Sequence, residues 1–303
     1  MTGALGTRIG KGLAREVHPA VRAFGARLGE ERGAIAVLFY GSNLRTGDLE
    51  GVLDFYLLLP GEAESGVWPR VSYHEWQHSE HDLRAKVATM TLTKFAQAAS
   101  GALLDTTIWA RFVQPSALIA SASDEVAAAV VGAVAQASVT AARLAAVLGP
   151  DRGTEEQFWT ALFQATYTAE FRIESNNRAR SIIALNAAHF DGLLPLALEG
   201  GGVPFAVNGT ELIPAIPGGE RRRVRRWWRK RRLAGKPLNL RRLVRAAGTF
   251  EGAARYAAWK VERHTGVPVE ITPWREKHPV LAAPGVLFKV WRARRRKAAQ
   301  EPK

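Results

Sequence analysis

The chain has 303 residues, enough for a hydrophobic core and about two domains. It contains no cysteine, which excludes disulfides and thiolate metal sites and makes a cytosolic location the default expectation. No run of eighteen uninterrupted apolar residues and no N-terminal secretory signal is present, so we expect no membrane-spanning helix.

Charge divides the chain at about residue 220. Residues 1–219 hold 17 Lys and Arg against 22 Asp and Glu, a balance of −5, whereas residues 220–303 hold 25 against 6, a balance of +19. This asymmetry predicts a polyanionic partner for the C-terminal region, either a nucleic acid or an anionic membrane surface.

The first part of the sequence combines a helix with short apolar strands. Apolar residues at helical spacing predict an amphipathic helix over 8–29. Strands are predicted near 34–40, 52–59 and 83–92, with a long polar connection over 61–82. A connection of that length is often functional.

From residue 104 the pattern becomes helical. We predict helices over 104–112, 123–148, 154–174 and 177–198, followed by a break rich in glycine and proline over 199–219. A small mixed sheet followed by helices and a basic region is an α+β arrangement.

The most informative motif joins a Gly41-Ser42 turn, at the end of an apolar strand, to Asp54 in a second apolar strand. Glycine lets the backbone approach a ligand closely, and a serine hydroxyl with free turn amides can hold phosphate oxygens. A carboxylate in a hydrophobic strand is costly unless it is paired, and beside a nucleotide the usual partner is Mg²⁺. We expect Gly41 and Ser42 to bind a triphosphate and Asp54 to bind the metal; a chance Gly-Ser between ordinary strands is the alternative.

This motif resembles the signature of the polymerase-beta-like nucleotidyltransferase superfamily. That signature is a strand, a Gly-Ser turn, roughly ten residues, and a strand with Asp-x-Asp or Asp-x-Glu. Here the serine and Asp54 are twelve positions apart, and Tyr56 stands where the superfamily has its second acid. The superfamily also has a third acid, on a later strand. Asp82, at the start of the third predicted strand, is the candidate for this acid and would be the second metal ligand beside Asp54. The loop acids Asp48 and Glu50 are the alternatives.

Three further segments resemble the mitochondrial-type phosphatidate cytidylyltransferases. Residues 83–89 (Leu-Arg-Ala-Lys-Val-Ala-Thr) are similar to their Leu/Ile-Lys-Tyr-Gly-Val-Val segment. Residues 109–115 (Trp-Ala-Arg-Phe-Val-Gln-Pro) keep the Arg-x-x-x-Pro core of a second segment. Residues 170–176 (Glu-Phe-Arg-Ile-Glu-Ser-Asn) are similar in character to their Asp-x-Arg-x-x-x-x-Glu-Asn segment. Those enzymes also keep a single carboxylate at the second strand.

The resemblance implies a nucleotidyltransferase domain over 1–120, a helical domain over 121–219 and a basic, membrane-associating region over 220–303. The implied reaction transfers CMP from CTP to phosphatidic acid and gives CDP-diacylglycerol and pyrophosphate, with Mg²⁺ as cofactor. A phosphate acceptor is already ionised and needs no strong general base. Tyr56, in place of an acid, would therefore not repel it, and we expect Tyr56 at the substrate.

Two basic residues complete the expected site. Lys86 would neutralise the triphosphate as a point charge; an exposed strand lysine is the alternative. Arg111 lies on an otherwise apolar helix, where a buried guanidinium needs an anionic partner, either a phosphate or an internal Glu. Together with Asp54 they form the expected catalytic set.

The basic region carries tryptophans among its arginines. Residues 221–232 contain nine positive charges, and on a helix Val224, Trp227 and Trp228 form one apolar stripe. Tryptophan prefers the membrane interface, and each Lys or Arg near an anionic leaflet contributes about 1 kcal/mol. We expect peripheral attachment to the cytoplasmic face of the inner membrane through Arg221, Arg222, Arg223, Arg225, Arg226, Trp227, Trp228, Arg229, Lys230 and Trp291.

Other functions stay open at this point. The same arginines and tryptophans suit RNA or DNA, where Arg and Lys meet phosphates and Trp stacks on bases. The enzyme would then be a nucleotidyltransferase acting on a nucleic acid or on another small acceptor. The alternative of a different class is a non-catalytic domain that binds nucleic acid or membranes.

Overall fold

A computed structural model describes residues 3–66, 68–169, 177–249, 252–277 and 285. The chain has an α+β fold, in which a five-stranded mixed sheet lies between helices. The prediction of an α+β fold with a small mixed sheet is confirmed.

Two helices, α1 (Ala4–Leu13) and α2 (Pro19–Glu31), precede the first strand. The prediction of one helix over 8–29 was wrong, because Pro19 disfavours a helical conformation in the residue before it. Pro19 begins α2, where its missing N–H costs nothing, and the His18 side chain accepts a hydrogen bond from the Ala20 N–H at 3.2 Å.

The sheet has the strand order β3-β4-β2-β1-β5. β2 runs parallel to β4, whereas β1 is antiparallel to both β2 and β5, and β3 is antiparallel to β4. A short helix follows β1. The elements are β1 (Ala36–Tyr40), α3 (Ser42–Thr46), β2 (Leu53–Leu59), β3 (Arg70–His78), β4 (His81–Thr91) and, after two helices, β5 (Ser116–Ser121).

The sequence predicted that 61–82 is a connection without regular structure. This prediction was wrong for part of the stretch. It contains β3, which forms a hairpin with β4, and Ser79 at the tip has a φ of 54°. β3 lies at the edge of the sheet, where polar side chains are tolerated because one side of the strand faces solvent. Its polar composition therefore concealed a strand.

The remaining elements are mostly helical. They are α4 (Leu92–Ala99), α5 (Thr107–Phe112), α6 (Asp124–Leu148), α7 (Glu155–Ala169), α8 (Asn177–Leu185), α9 (Ala187–Phe190), α10 (Leu193–Gly200), the hairpin of β6 (Phe205–Asn208) and β7 (Glu211–Pro214), α11 (Gly218–Thr249), α12 (Ala253–Thr265) and α13 (Pro273–Lys277). The predicted helix over 177–198 is divided into three, and Gly192, with a φ of 68°, precedes α10.

Apolar residues on the two faces of the sheet belong to two hydrophobic clusters. One face packs against α2, as the cluster of Phe24, Phe39 and Phe55 shows. The other face packs against the helices, in a cluster that joins Leu38 of β1 to Trp228 of α11. The three segments predicted as domains therefore share one hydrophobic core, and the domain boundaries stay a prediction.

Among the described helices, only α6 is long and apolar enough to cross a membrane. In the most apolar part of α6, 72% of the residues are buried inside the protein, which is the environment of a core helix.

Candidate functional site

A row of four side chains crosses one face of the sheet. The register pairs Tyr73 with Lys86, Lys86 with Asp54, and Asp54 with Tyr40. Residues paired in this way point to the same face, and neighbouring strands are about 4.8 Å apart. The sheet therefore brings the predicted Asp54 and Lys86 side by side.

The Asp54 carboxylate lies in a partly dehydrated, positively charged environment. Burial raises the pKa of Asp54, and the charges of Lys86 and Arg111 oppose that rise. Lys86 is half-buried and is therefore not a fully exposed strand lysine, and its role at a triphosphate stays a prediction. Arg111 comes from α5, so two different elements supply the cations that face the one carboxylate.

Position 41 requires glycine for two reasons, the backbone conformation there and the closeness of Asp54. Its φ of 98° and ψ of −164° lie where residues with a side chain are strained. A Cβ atom at this position would lie 3.1 Å from the Oδ2 atom of Asp54. The Gly-Ser turn and the carboxylate are thus in direct proximity, as the motif predicted.

Arg111 is held by aromatic rings. Its Nη1 atom donates a hydrogen bond to the Tyr56 hydroxyl at 3.0 Å, and its guanidinium lies 5.1 Å from the ring centroid of Tyr40 and 5.7 Å from that of Tyr56. Tyr56 is fully buried, with its ring against Phe95 and Phe112. The prediction that Tyr56 contacts the substrate was wrong: this ring fills the core and orients Arg111.

An open cleft with a volume of about 620 Å³ lies beside this constellation, and we call it the Asp54 cleft. One wall belongs to the end of the sheet and to α3, and contains Gly41, Ser42 and Asp54. The opposite wall comes from α7, α8 and the residue after it. The two walls and α5 contribute Tyr40, Gly41, Ser42, Arg45, Asp54, Thr107, Arg111, Phe163, Tyr167, Ile182, Leu185 and Asn186.

Sequence reasoning missed Arg45 and Asn186. Arg45 lines the cleft together with Arg111, and its position three residues after the Gly-Ser turn was the available signal. Asn186 is buried, and its Nδ2 atom donates to the Ile182 carbonyl at 2.6 Å, so its Oδ1 atom is left to accept a hydrogen bond. Nothing in the sequence marked Asn186, because it reaches the cleft only through the packing of α8.

Sequence reasoning also missed α12, whose residues were assigned to the membrane-associating region. Tyr256 packs against Tyr73 with ring centroids 5.4 Å apart. Burial raises the pKa of Tyr256, and the negative charge of Asp54 raises it further. α12 therefore lies close to the Asp54 carboxylate. Trp259 stacks on Tyr256, and its ring centroid lies 5.9 Å from the guanidinium of Arg84 and 5.3 Å from that of Arg263.

Comparison with protein-family models and with curated proteins gives no match.

The predicted second metal ligand does not lie beside Asp54. Asp82 is exposed near the hairpin tip and pairs with Gln77. It precedes Lys86, the neighbour of Asp54, by four residues, or about 13 Å along the strand. Two side chains so far apart cannot share one ion, so the prediction for Asp82 was wrong.

The alternative acids belong to an exposed loop that is held by its own hydrogen bonds. The Oδ1 atom of Asp48 accepts a hydrogen bond from the Glu50 N–H at 2.7 Å, and Asn43 donates to the carbonyl groups of both residues. Within the described ranges no cluster of three or more Asp, Glu or His could hold a metal. Asp54 alone still fits Mg²⁺, because this ion is often bound by one or two carboxylates together with substrate phosphates.

The α11 helix confirms the predicted apolar stripe but not its partner. Trp228 is 7% exposed and lies 6.4 Å, between ring centroids, from Trp109 in the core, while Trp227 and Val224 pack against the same cluster. Trp228 therefore cannot insert into a membrane while the protein is folded, and Trp227 is half-buried. Trp291 lies outside the described residues.

The opposite side of α11 is basic and exposed. Arg221 is an exception, because its Nη1 atom lies 2.8 Å from the Asp151 carboxylate. Arg231 is buried, and donates a hydrogen bond to Thr106 at 2.7 Å. The exposed cations between 221 and 232 are Arg222, Arg223, Arg225, Arg226, Arg229, Lys230 and Arg232.

Proposed function

We propose that this protein is a nucleotidyltransferase that transfers CMP from CTP to phosphatidic acid at an anionic membrane surface. The observation that carries the proposal is the proximity of the Gly41 backbone and the Asp54 carboxylate at the wall of an open cleft, with Lys86 and Arg111 facing that carboxylate. Phosphates and a carboxylate-bound cation need this combination of a side-chain-free turn, one acid and several cations.

In this proposal the Gly41-Ser42 turn binds the triphosphate, and Arg45, Lys86 and Arg111 neutralise its charge. Asp54 would hold Mg²⁺, which when bound would supply electrostatic stabilisation of the charge on the transferring phosphoryl group. An oxygen of the acceptor phosphate attacks the α-phosphorus of CTP, the bond from that phosphorus to the bridging oxygen breaks, and pyrophosphate leaves with the bonding electrons. The acceptor is already ionised, so no general base is required.

The second wall of the cleft supports a cytosine base and a lipid acceptor. The Oδ1 atom of Asn186 can accept a hydrogen bond from an exocyclic amino group, which cytosine has and uracil lacks. The ring of Tyr167 provides a surface for base stacking. Leu185 is 65% exposed and lines the cleft, and a lipid acyl chain would cover it.

The exposed cations of α11 supply the attraction to an anionic leaflet, without help from Trp227 or Trp228. Their contribution is electrostatic, so it weakens as the salt concentration rises. Peripheral attachment to the cytoplasmic face of the inner membrane follows from this proposal, because phosphatidic acid must be reached at a bilayer.

The direct test incubates the full chain with CTP, Mg²⁺ and phosphatidate vesicles and measures pyrophosphate and CDP-diacylglycerol. We expect Asp54→Ala to abolish product, whereas Asp48→Ala, which removes an exposed loop acid, should retain it. UTP should be a poorer donor than CTP. Absence of transfer from any nucleotide to any acceptor would contradict the proposal.

The exposed arginines of α11 also support a second candidate, a nucleotidyltransferase that acts on a nucleic acid. A surface of arginines attracts phosphate backbones as well as lipid head groups. Product analysis with RNA and DNA ends as acceptors separates this activity from lipid transfer. A non-catalytic module would instead bind vesicles or RNA without binding Mg²⁺-CTP.

A further inference from the structure

A second pocket, which is open to solvent and has a volume of about 310 Å³, lies where α6 meets α11 and the end of α4. We call it the α11 cavity; it shares no lining residue with the Asp54 cleft. Its lining is partly apolar and partly basic, and includes Gln136, Val139, Arg143, Leu144, Arg223 and Trp227. Ligand pockets of proteins typically have volumes of about 300–1,000 Å³ and combine an apolar lining with a few polar groups.

Four of these residues come from one side of α6. Gln136, Val139, Arg143 and Leu144 follow one another at intervals of three, four and one, which places them on a common helix face. Val139 is buried and Leu144 is buried, so the α6 side gives the cavity an apolar floor. Trp227 of α11 is half-buried and forms the opposite side.

Arg143 places a guanidinium at the cavity. Its Nη2 atom is paired with the Glu220 carboxylate, whereas its Nε atom is buried and has no hydrogen-bond partner within the described part of the chain. The Nε atom has no surface that a ligand could touch, so a ligand would be recognised by the outer nitrogens and the charge of the guanidinium. A guanidinium beside an apolar lining favours a ligand with a carboxylate or phosphate group.

The charge of the cavity indicates the sign and size of that ligand. Arg143 and Arg223 bring two positive charges and Glu220 brings one negative charge, which leaves one positive charge. A monoanion would balance it. At about 30 Å³ for each water-sized group, the volume accommodates roughly ten such groups.

We propose that the α11 cavity binds a medium-chain fatty acid anion, with the carboxylate at Arg143 and Arg223 and the alkyl chain along Val139, Leu144 and Trp227. The site is independent of the nucleotidyl transfer proposed above. Occupancy bridges α6 and α11, so the bound anion stabilises the attachment of the basic helix to the protein core.

The first test varies the length of the fatty acid and needs no protein variant. The dissociation constants of hexanoate, octanoate and decanoate are measured by isothermal titration calorimetry with the full chain, below their micelle-forming concentrations. Burial of each CH₂ group should strengthen binding about fourfold, or more than tenfold for two carbons, until the cavity is filled. A single saturable site with this trend is expected. Absence of saturable binding, or affinity without dependence on chain length, would overturn the proposal.

Charge recognition is tested with octanoate, octylamine and 1-octanol. We expect octanoate to bind at least tenfold more tightly than the amine, and equal affinities would exclude a carboxylate site. Arg223→Gln should weaken octanoate binding about fivefold to tenfold. The matched control is Arg229→Gln, which removes an exposed charge of the same helix that does not line the cavity. Equal weakening by both variants would show general electrostatic attraction to α11 in place of a site.

Discussion

The guanidinium of Arg111 donates a hydrogen bond to the hydroxyl group of Tyr56 at 3.0 Å, within a box of aromatic rings. Tyr56 occupies the position at which the resembling superfamily has a second carboxylate. In this structure the residue at that position has a different role. An acid there would bind a metal, whereas the buried Tyr56 orients the Arg111 cation at the cleft. The missing acid is thus accompanied by an added, oriented positive charge.

Tyr56→Phe tests this relationship. The ring remains and keeps its packing, but the hydrogen bond to Arg111 is lost, which costs about 1–3 kcal/mol for a bond to a charged group. We expect transfer activity to fall about tenfold or more while the fold is retained. Steady-state kinetics and circular dichroism measure the two effects. Unchanged kinetics in a folded variant would show that the hydroxyl does not position Arg111.

Gly41→Ala should disrupt nucleotide binding. The substitution combines backbone strain of roughly 1–3 kcal/mol at a φ of 98° with a Cβ atom 3.1 Å from the Asp54 carboxylate. Gly47→Ala is the matched control, because Gly47 has a φ of 70° but no atom within 4 Å of an added Cβ. We expect both variants to be destabilised in urea denaturation, and only Gly41→Ala to lose more than tenfold in Mg²⁺-CTP affinity. Equal affinities of the two variants would contradict the role of the turn.

Asp54→Asn should change the dependence of stability on pH. Burial raises the pKa of Asp54 in the folded state, so ionisation of this group destabilises the native protein. The effect is absent below the unfolded pKa, about 4, and develops as the pH rises through the raised folded pKa. The stability of Asp54→Asn relative to the unsubstituted protein should therefore increase with pH. Urea denaturation at several pH values measures this difference, and a difference that is constant or falls with pH would refute it.

Trp228→Ala separates the structural role of α11 from its role in surface binding. Removing a buried tryptophan costs about 3–5 kcal/mol, so the melting temperature should fall sharply. The double variant Arg225→Gln/Arg229→Gln should leave the melting temperature almost unchanged. It should weaken binding to anionic vesicles about 30-fold, since each exposed charge contributes about 1 kcal/mol. Vesicle sedimentation with and without added salt measures this loss, and a double variant that binds as tightly as the unsubstituted protein would contradict it.

Local sequence patterns predicted the elements whose stability is local. The apolar runs around Phe39 and Phe55 and the Gly-Ser turn gave β1, β2 and the position of Asp54. The alanine-rich pattern likewise gave α6. These elements are visible because periodicity and turn chemistry act over a few residues.

The predictions that failed depend on contacts between distant parts of the chain. β3 is polar at a sheet edge, and only its pairing with β4 makes it a strand. The partner of Tyr56 is 55 positions away, and Tyr256 reaches the neighbourhood of Asp54 from a helix near the end of the described chain. Likewise, the tryptophan stripe of α11 was identified correctly, but its partner, the protein core or a membrane, was not encoded in the stripe.

Embedding Trp228 in the same cluster as Leu38 has a mechanical consequence. The basic helix cannot be lifted from the body without opening the core that supports the central strands. If a polyanionic surface binds α11, the distance and orientation of the Asp54 cleft relative to that surface are therefore fixed as well. In the proposed function, the arginines of α11 would set the direction from which an acceptor on that surface reaches the cleft.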